Sequence, residues 1–153
     1  MTSDFEVAHG IYVVQGNYEL DLHNNFAFLE VQYSVADRKA SFYWRRRPDN
    51  WVPPDSPAML SIIFEEVEEF RFLRRDPEMP FTEDDCLSTM GYVTDESWSQ
   101  GHVLLTAGPE RDWLTAFEFQ SGAVIALRAD RASARIGSES EVLGTPDSRS
   151  RAT

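Results

Sequence analysis

Acidic residues concentrate in one part of the chain and are the side chains best suited to bind a partner of opposite charge. Residues 65–96 hold eleven Asp or Glu against three Arg, which accounts for −8 of the net charge of −12. Such a field attracts basic partners and repels nucleic acid and anionic membranes. The alternative is a solvated face that only maintains solubility. The residues predicted to bind a basic protein are Glu65, Glu66, Glu68, Glu69, Glu83, Asp84 and Asp85.

Three further carboxylates, Glu19, Asp21 and Glu30, fall on the polar face of a predicted antiparallel sheet. The simplest strand register places Glu19 opposite Glu30, and like charges in facing positions are destabilising. Such a pair is typical of an acid/base or cation site. The alternative is that Arg45, on the same face, neutralises them in ordinary surface ion pairs.

The sequence offers only weak candidates for metal ligands and for a catalytic nucleophile. His9, His23 and His102 lack the close spacing of zinc ligands, and Cys86 is the single cysteine. The acids beside Cys86 oppose a thiolate, so we predict a buried, unreactive thiol. There is no glycine-rich phosphate loop and no nucleophile elbow. We therefore predict no metal and no cofactor, and favour a protein that is not an enzyme.

The first third of the chain predicts a four-stranded antiparallel meander. Its strands are 11–15, 18–22, 26–35 and 39–46, joined by short turns at Gly16-Asn17 and near residues 24 and 36. Alternation of side chains along these strands separates an apolar face from a more polar one. The predicted apolar face comprises Ile11, Val13, Tyr18, Leu20, Leu22, Ala27, Leu29, Val31, Tyr33, Ala40, Phe42 and Trp44.

The middle of the chain predicts a break in the sheet, two short strands and a helix. Four prolines in residues 47–58 interrupt strand pairing. Residues 59–75 alternate and are rich in β-branched and aromatic side chains, which favours two strands around a Glu-rich connection over a helix. Residues 82–91 predict a helix, because Thr82 is a suitable N-cap and acids follow it.

The C-terminal half predicts more strands and then a tail. The strands are 102–106, 113–120 and 123–129, with a hairpin turn at Ser121-Gly122. From Gly137 onward the sequence has no periodicity and few large apolar residues, which is typical of disorder.

These elements predict a mainly β (or α+β) fold in which the meander forms a sandwich or flattened barrel with one short helix near 82–91. We expect one domain over residues 5–136 and a disordered tail over 137–153. The N-terminus lacks the features of a signal peptide, and no apolar run approaches the roughly 20 residues of a membrane span. A soluble, cytoplasmic protein is therefore expected.

The function predicted first is that of a non-enzymatic protein whose acidic surface binds a basic partner, as an immunity-type inhibitor of a toxin or nuclease does. The alternative is a carrier of an apolar small molecule, held in a barrel-like cavity near Trp44, Trp113, Phe117 and Tyr43. An enzyme acting through Glu19, Asp21 or Glu30 requires these carboxylates to line a cleft. Self-association through edge strands is a fourth possibility.

Overall fold

A computed structural model describes residues 1–103 and 112–144, and in them the chain is mainly β, as predicted. Two short helices, α1 (Asp95–Gln100) and α2 (Glu139–Leu143), accompany the strands. The strands are β1 (Thr2–Ser3), β2 (Glu6–Ala8), β3 (Tyr12–Gln15), β4 (Tyr18–Asp21), β5 (Phe26–Ser34), β6 (Lys39–Arg46), β7 (Met59–Glu65), β8 (Glu69–Leu73), β9 (Leu87–Val93), β10 (Leu114–Phe119), β11 (Val124–Arg128) and β12 (Arg131–Gly137).

The strands form three sheets that enclose a common core. A five-stranded sheet has the order β1-β12-β7-β6-β5, a four-stranded sheet the order β8-β11-β10-β9, and a small sheet the order β2-β3-β4. Among the residues that the structure describes, strand pairing is antiparallel except for β1 with β12. Buried side chains of the five-stranded and four-stranded sheets belong to one hydrophobic cluster, so these two sheets form a sandwich.

Aromatic side chains fill the centre of the sandwich. The rings of Phe42 and Phe117, from opposite sheets, stack with their centroids 4.5 Å apart. Phe64 meets Phe117 edge-on at 6.0 Å, and Trp44 lies 5.9 Å from the same ring. Large, interlocked aromatic rings bury much apolar surface and hold the two sheets in a defined relative position.

The predicted meander divides between two sheets. The Gly16-Asn17 turn is confirmed, because Gln15 pairs with Tyr18 and Gly16 has a φ of 58°. However, β4 belongs to the small sheet and β5 to the five-stranded sheet, so the predicted pairing of these two strands is wrong. The chain leaves the small sheet at Asp21, whose carboxylate accepts hydrogen bonds from the two backbone N–H groups that follow Leu22.

The predicted apolar face is correct for about half of its residues, and it is wrong at Tyr18, which is exposed, and at the start of β5. Val13, Leu20, Phe42 and Trp44 are buried as expected. A β-bulge lies between Phe28 and Glu30 in the ladder with β6. The extra residue reverses the alternation, since two residues of one strand then oppose one of its partner.

As a result of this bulge, Phe26 and Phe28 point into the core, whereas Leu29 is exposed. Beyond the bulge the predicted face is restored. Tyr33 stacks on Phe70 of the opposite sheet, with centroids 4.6 Å apart.

The predicted helix over 82–91 is wrong. A 3-10 turn at Phe81–Glu83 is followed by β9, which pairs along β10 and buries Leu87 and Met90. The helix α1 begins one residue after Thr94, whose side chain accepts a hydrogen bond from the backbone N–H of Ser97. Thr82 and Thr94 are both followed directly by acids, so the same N-cap pattern occurs twice. The residues after the first Thr form a strand instead, because they pair with β10.

The interpretation of residues 59–75 as two strands is confirmed. Strands β7 and β8 flank the connection Glu66–Glu68, where Glu66 has a φ of 57°. Strand β7 is buried on both faces, because α2 packs over its outer side and buries Val142 there.

The C-terminal strands β10 and β11 and their turn at Ser121-Gly122 match the predicted ones. Of the strand predicted at 102–106, residues 102 and 103 are not in a strand, and the rest lies outside the described residues. The predicted tail differs at its start, where residues 137–144 hold the end of β12 and all of α2. The rest of that tail lies outside the described residues. Within the described residues, no helix has the length and apolar character needed to cross a membrane.

Candidate functional site

The seven predicted binding residues fall into two groups at opposite ends of the sandwich. Glu65 pairs with Lys39, the first residue of β6, whereas Asp85 forms an ion pair with Arg47, just beyond the last residue of β6. A strand rises about 3.3 Å per residue, which separates the two groups by roughly 25 Å. The structure therefore does not bring them together in one patch.

The group at Glu65–Glu69 is largely neutralised by arginines of the same chain. The nitrogen–oxygen distances are 3.7 Å for Glu65 with Arg131, 2.9 Å for Glu66 with Arg38, 3.2 Å for Glu68 with Arg128 and 2.6 Å for Glu69 with Arg71. Exposed ion pairs contribute little to stability, but each cancels a charge that a partner would otherwise meet. This end is consequently less acidic than its sequence indicates.

The second group differs because exposed aromatic side chains accompany it. Phe81 is 81% exposed, and its ring lies 4.6 Å from the guanidinium carbon of Arg75. Trp51, in the proline-rich loop, is 62% exposed, and its indole N–H donates to the carbonyl of Asn24 at 3.2 Å. We call this surface the aromatic-acidic end and define it by Trp51, Asp76, Glu78, Phe81 and Glu83.

Two acids next to this surface, Asp84 and Asp85, pair with arginines. Arg75 bonds Asp84 at 2.8 Å and holds the pKa of that carboxyl below its ordinary value. Arg47 pairs with Asp85 at 3.0 Å. In the part of the chain that the structure describes, Glu83 has no ion pair. The surface therefore combines uncompensated negative charge with large apolar rings.

The three consecutive arginines that precede the proline-rich loop are engaged within the protein. Arg45 pairs with Glu139 at 3.5 Å, Arg46 donates to the carbonyl of Ser56 at 2.6 Å, and Arg47 bonds Asp85. These internal contacts occupy the guanidinium groups that could otherwise bind the phosphates of a nucleic acid.

The carboxylates Glu19, Asp21 and Glu30 do not form a site. Glu19 lies opposite Val14 in the small sheet, and Glu30 lies opposite Tyr43 in the five-stranded sheet, so the predicted facing pair is wrong. The change of sheet after β4 separates them. Asp21 is buried and bonds the backbone of the following turn, which gives it a structural role.

The thiol of Cys86 lies beside His23 but is not activated by it. The sulfur is 3.7 Å from Nδ1 of His23, while the same nitrogen is 2.6 Å from the carbonyl oxygen of Leu87. A carbonyl only accepts hydrogen bonds, so Nδ1 carries the proton and cannot take one from the thiol. Burial raises the pKa of Cys86, with Arg47 opposing the shift. Among the described residues, no three His, Cys, Asp or Glu side chains are grouped to hold a metal.

A cleft of about 650 Å³ opens between the two main sheets, beneath the N-terminal residues. Of the four residues predicted to line an apolar cavity, Phe117 contacts this cleft. Trp44 lies in the sealed core, Tyr43 points to the opposite face of β6, and Trp113 is half-buried outside the lining. Apart from Phe117, the floor is built from residues that the predicted cavity did not include, because no local pattern indicates where two sheets diverge.

Burial of Glu118 on β10 leads to a prediction about stability. Burial raises the pKa of its carboxyl above the ordinary value of 4.5, and the charge of His102 opposes this in part. A raised pKa in the folded protein means that the protonated carboxyl favours folding relative to the ionised one. The stability that Glu118 contributes in its protonated form is therefore lost as pH rises through the folded pKa. We expect Glu118→Gln to be more stable than the unmodified protein at pH 7, with the difference vanishing below pH 4.5. Urea unfolding of both proteins across this range tests it, and a constant difference would contradict it.

Comparisons with known proteins place the chain in no established group. No family model, no curated protein and no solved structure matches it.

Proposed function

We propose that this is a non-enzymatic, cytoplasmic binding protein that presents its aromatic-acidic end to a basic protein partner, in the manner of an immunity protein or inhibitor. The observation that carries this proposal is the exposure of Phe81 and Trp51 at the end of the sandwich that holds Glu83, which has no ion pair among the described residues. A large exposed apolar patch that is rimmed by polar residues is typical of an interaction site. Aromatic side chains supply most of the binding energy in many protein interfaces.

The aromatic-acidic end is also held in shape, which lowers the entropy lost on binding. The backbone N–H of Asp76 donates to the carbonyl of Ser121 at 2.7 Å, and Arg75 donates to the carbonyl of Met79 at 2.6 Å. The hydrogen bond from Trp51 to Asn24 restrains the indole. A partner would therefore meet aromatic groups that are already positioned.

The net negative charge of the whole chain also favours association with a basic partner. A net charge of −12 accelerates the approach of a basic protein and disfavours partners that are themselves acidic. The Glu65–Glu69 end, whose acids pair with arginines, adds little to this field, and contact is made at the aromatic-acidic end. An inhibitor built in this way would cover a basic surface, such as the substrate groove of a nuclease.

The experiment is a capture from native lysate at low salt, followed by washes of increasing salt and identification of the eluted proteins. Two paired baits distinguish the ends: Trp51→Ser with Phe81→Ser at the aromatic-acidic end, and Glu66→Gln with Glu68→Gln at the other. We expect a basic protein that is retained by the unmodified chain and the second bait, and lost from the first. Retention by the first bait and loss from the second would reject the proposed surface.

A further inference from the structure

We infer that the cleft between the sheets is a binding site for a small apolar molecule whose polar end is uncharged or cationic. This inference is independent of the basic partner, because the cleft and the aromatic-acidic end share no residue. A volume of about 650 Å³ lies within the range of small-molecule sites in proteins. The site lies between sheets of a sandwich rather than inside the barrel that the sequence suggested.

The floor of the cleft is apolar and well packed. Ile62 and Phe64 of β7, Met90 of β9 and Phe117 of β10 line it, and each is at most 5% exposed. The edge-on contact between Phe64 and Phe117 fixes the two aromatic rings. Apolar surface at the mouth, such as that of the half-exposed Val7, is what a ligand in the cleft would remove from water, and this removal is favourable.

Glycine contributes to the open space. Gly10 and Gly91 both line the cleft, and neither has a side chain to fill it. The backbone carbonyl of Gly10 accepts the N–H of Met90 at 2.5 Å, so the N-terminal segment is bonded to β9. The cleft is thus bounded by backbone on this side.

The N-terminal wall is anchored on its other side as well. The carboxylate of Asp4 accepts the N–H of Ala134 at 2.9 Å, and the side chain of Gln15 donates to the carbonyl of Ala134 at 3.1 Å. Thr2 donates to the carbonyl of Asp130 at 2.9 Å. These bonds hold the segment over the floor, so the site exists before a ligand arrives.

The polar residues of the lining define the ligand's end group. Ser3, Tyr92 and Thr115 offer neutral hydroxyls, His9 offers a ring nitrogen, and Glu6 is the one acid among the lining residues that the structure describes. None of these lining side chains is a Lys or Arg that would pair with a carboxylate or phosphate, and the α-amino group of Met1, which also lines the cleft, is balanced by Glu6. Together with the net charge of −12, this disfavours anionic molecules.

The test uses two naphthalene fluorophores, neutral N-phenyl-1-naphthylamine and anionic anilinonaphthalene sulfonate. We expect the neutral probe to gain fluorescence on binding and to bind at least about tenfold more tightly than the anionic one, a difference of about 1.4 kcal/mol. The variant Thr115→Trp fills the cleft and should weaken the neutral probe about tenfold. Ser99→Trp adds the same side chain on α1, away from the lining, and should leave binding unchanged.

A second variant keeps the test decisive if Thr115→Trp does not fold, as judged by circular dichroism. Val7 lines the mouth and is 45% exposed, so Val7→Trp should narrow the entrance without disturbing the core. No fluorescence gain with the unmodified protein, equal affinity for the two probes, or undiminished binding in the folded cleft variants would overturn the inference. Capture of the basic partner by these variants should be unaffected, which separates this site from the function proposed above.

Discussion

Phe42→Ala should lower the free energy of unfolding by about 3–5 kcal/mol, the cost typical of removing a buried aromatic ring. Phe42 is fully buried on β6, and its ring contacts Phe64 of the same sheet and Phe117 of the opposite sheet. Its removal leaves a cavity where the two sheets meet, and the surrounding rings can close it only in part. Urea unfolding followed by circular dichroism measures the loss.

The matched control for this prediction is Phe72→Ala, which deletes the same group from an exposed position. Phe72 lies on β8 and is 62% exposed. Its loss should change the free energy of unfolding by less than about 0.5 kcal/mol, as is usual for surface substitutions. Similar effects of the two substitutions would mean that the sandwich core does not dominate stability.

Asp21→Ala should lower the free energy of unfolding by about 2–4 kcal/mol, since hydrogen bonds to a charged group are each worth about 1.5–3 kcal/mol. Asp21 is 8% exposed, and its carboxylate accepts the backbone N–H of His23 at 3.0 Å and that of Asn24 at 2.9 Å. It also accepts the side-chain amide of Asn24 at 2.8 Å. Alanine would leave these donors without their partner where the chain passes between sheets.

The same substitution should weaken capture of the basic partner, because Asn24 holds the indole of Trp51. The control is Glu19→Ala, an exposed acid on the same strand that removes the same charge. It should leave both stability and capture nearly unchanged. Equal effects of the two substitutions would show that net charge, rather than the turn, is responsible.

The arrangement of the acidic residues changes how the charge of the chain is understood. Eleven acids in residues 65–96 predict one strongly negative segment. The fold, however, places arginines that are distant in sequence beside most of the predicted binding residues. Arg38 and Arg128, far apart in sequence, both reach the Glu65–Glu69 end. What distinguishes the other end is the pair of exposed aromatic rings, and these were not part of the predicted site.

The sequence by itself determined the features that depend on near neighbours. Alternation of side chains identified β6, β7 and β8, and turn residues located the hairpins at Gly16-Asn17 and Ser121-Gly122. These patterns are local, since a strand's alternation and a turn's need for a positive φ involve only a few consecutive residues. They were sufficient to establish a mainly β fold with antiparallel pairing.

Only the tertiary structure decided which strands pair, where alternation reverses and which charges meet. The bulge at Leu29, the choice of strand over helix for Leu87–Val93 and the transfer of the chain between sheets after Asp21 all depend on how whole strands pair and pack. Each is settled by burial against another strand, which outweighs the weaker local preferences. For the same reason the sequence alone could not locate the cleft or separate the acidic residues into two ends, because both arise from how whole sheets are placed.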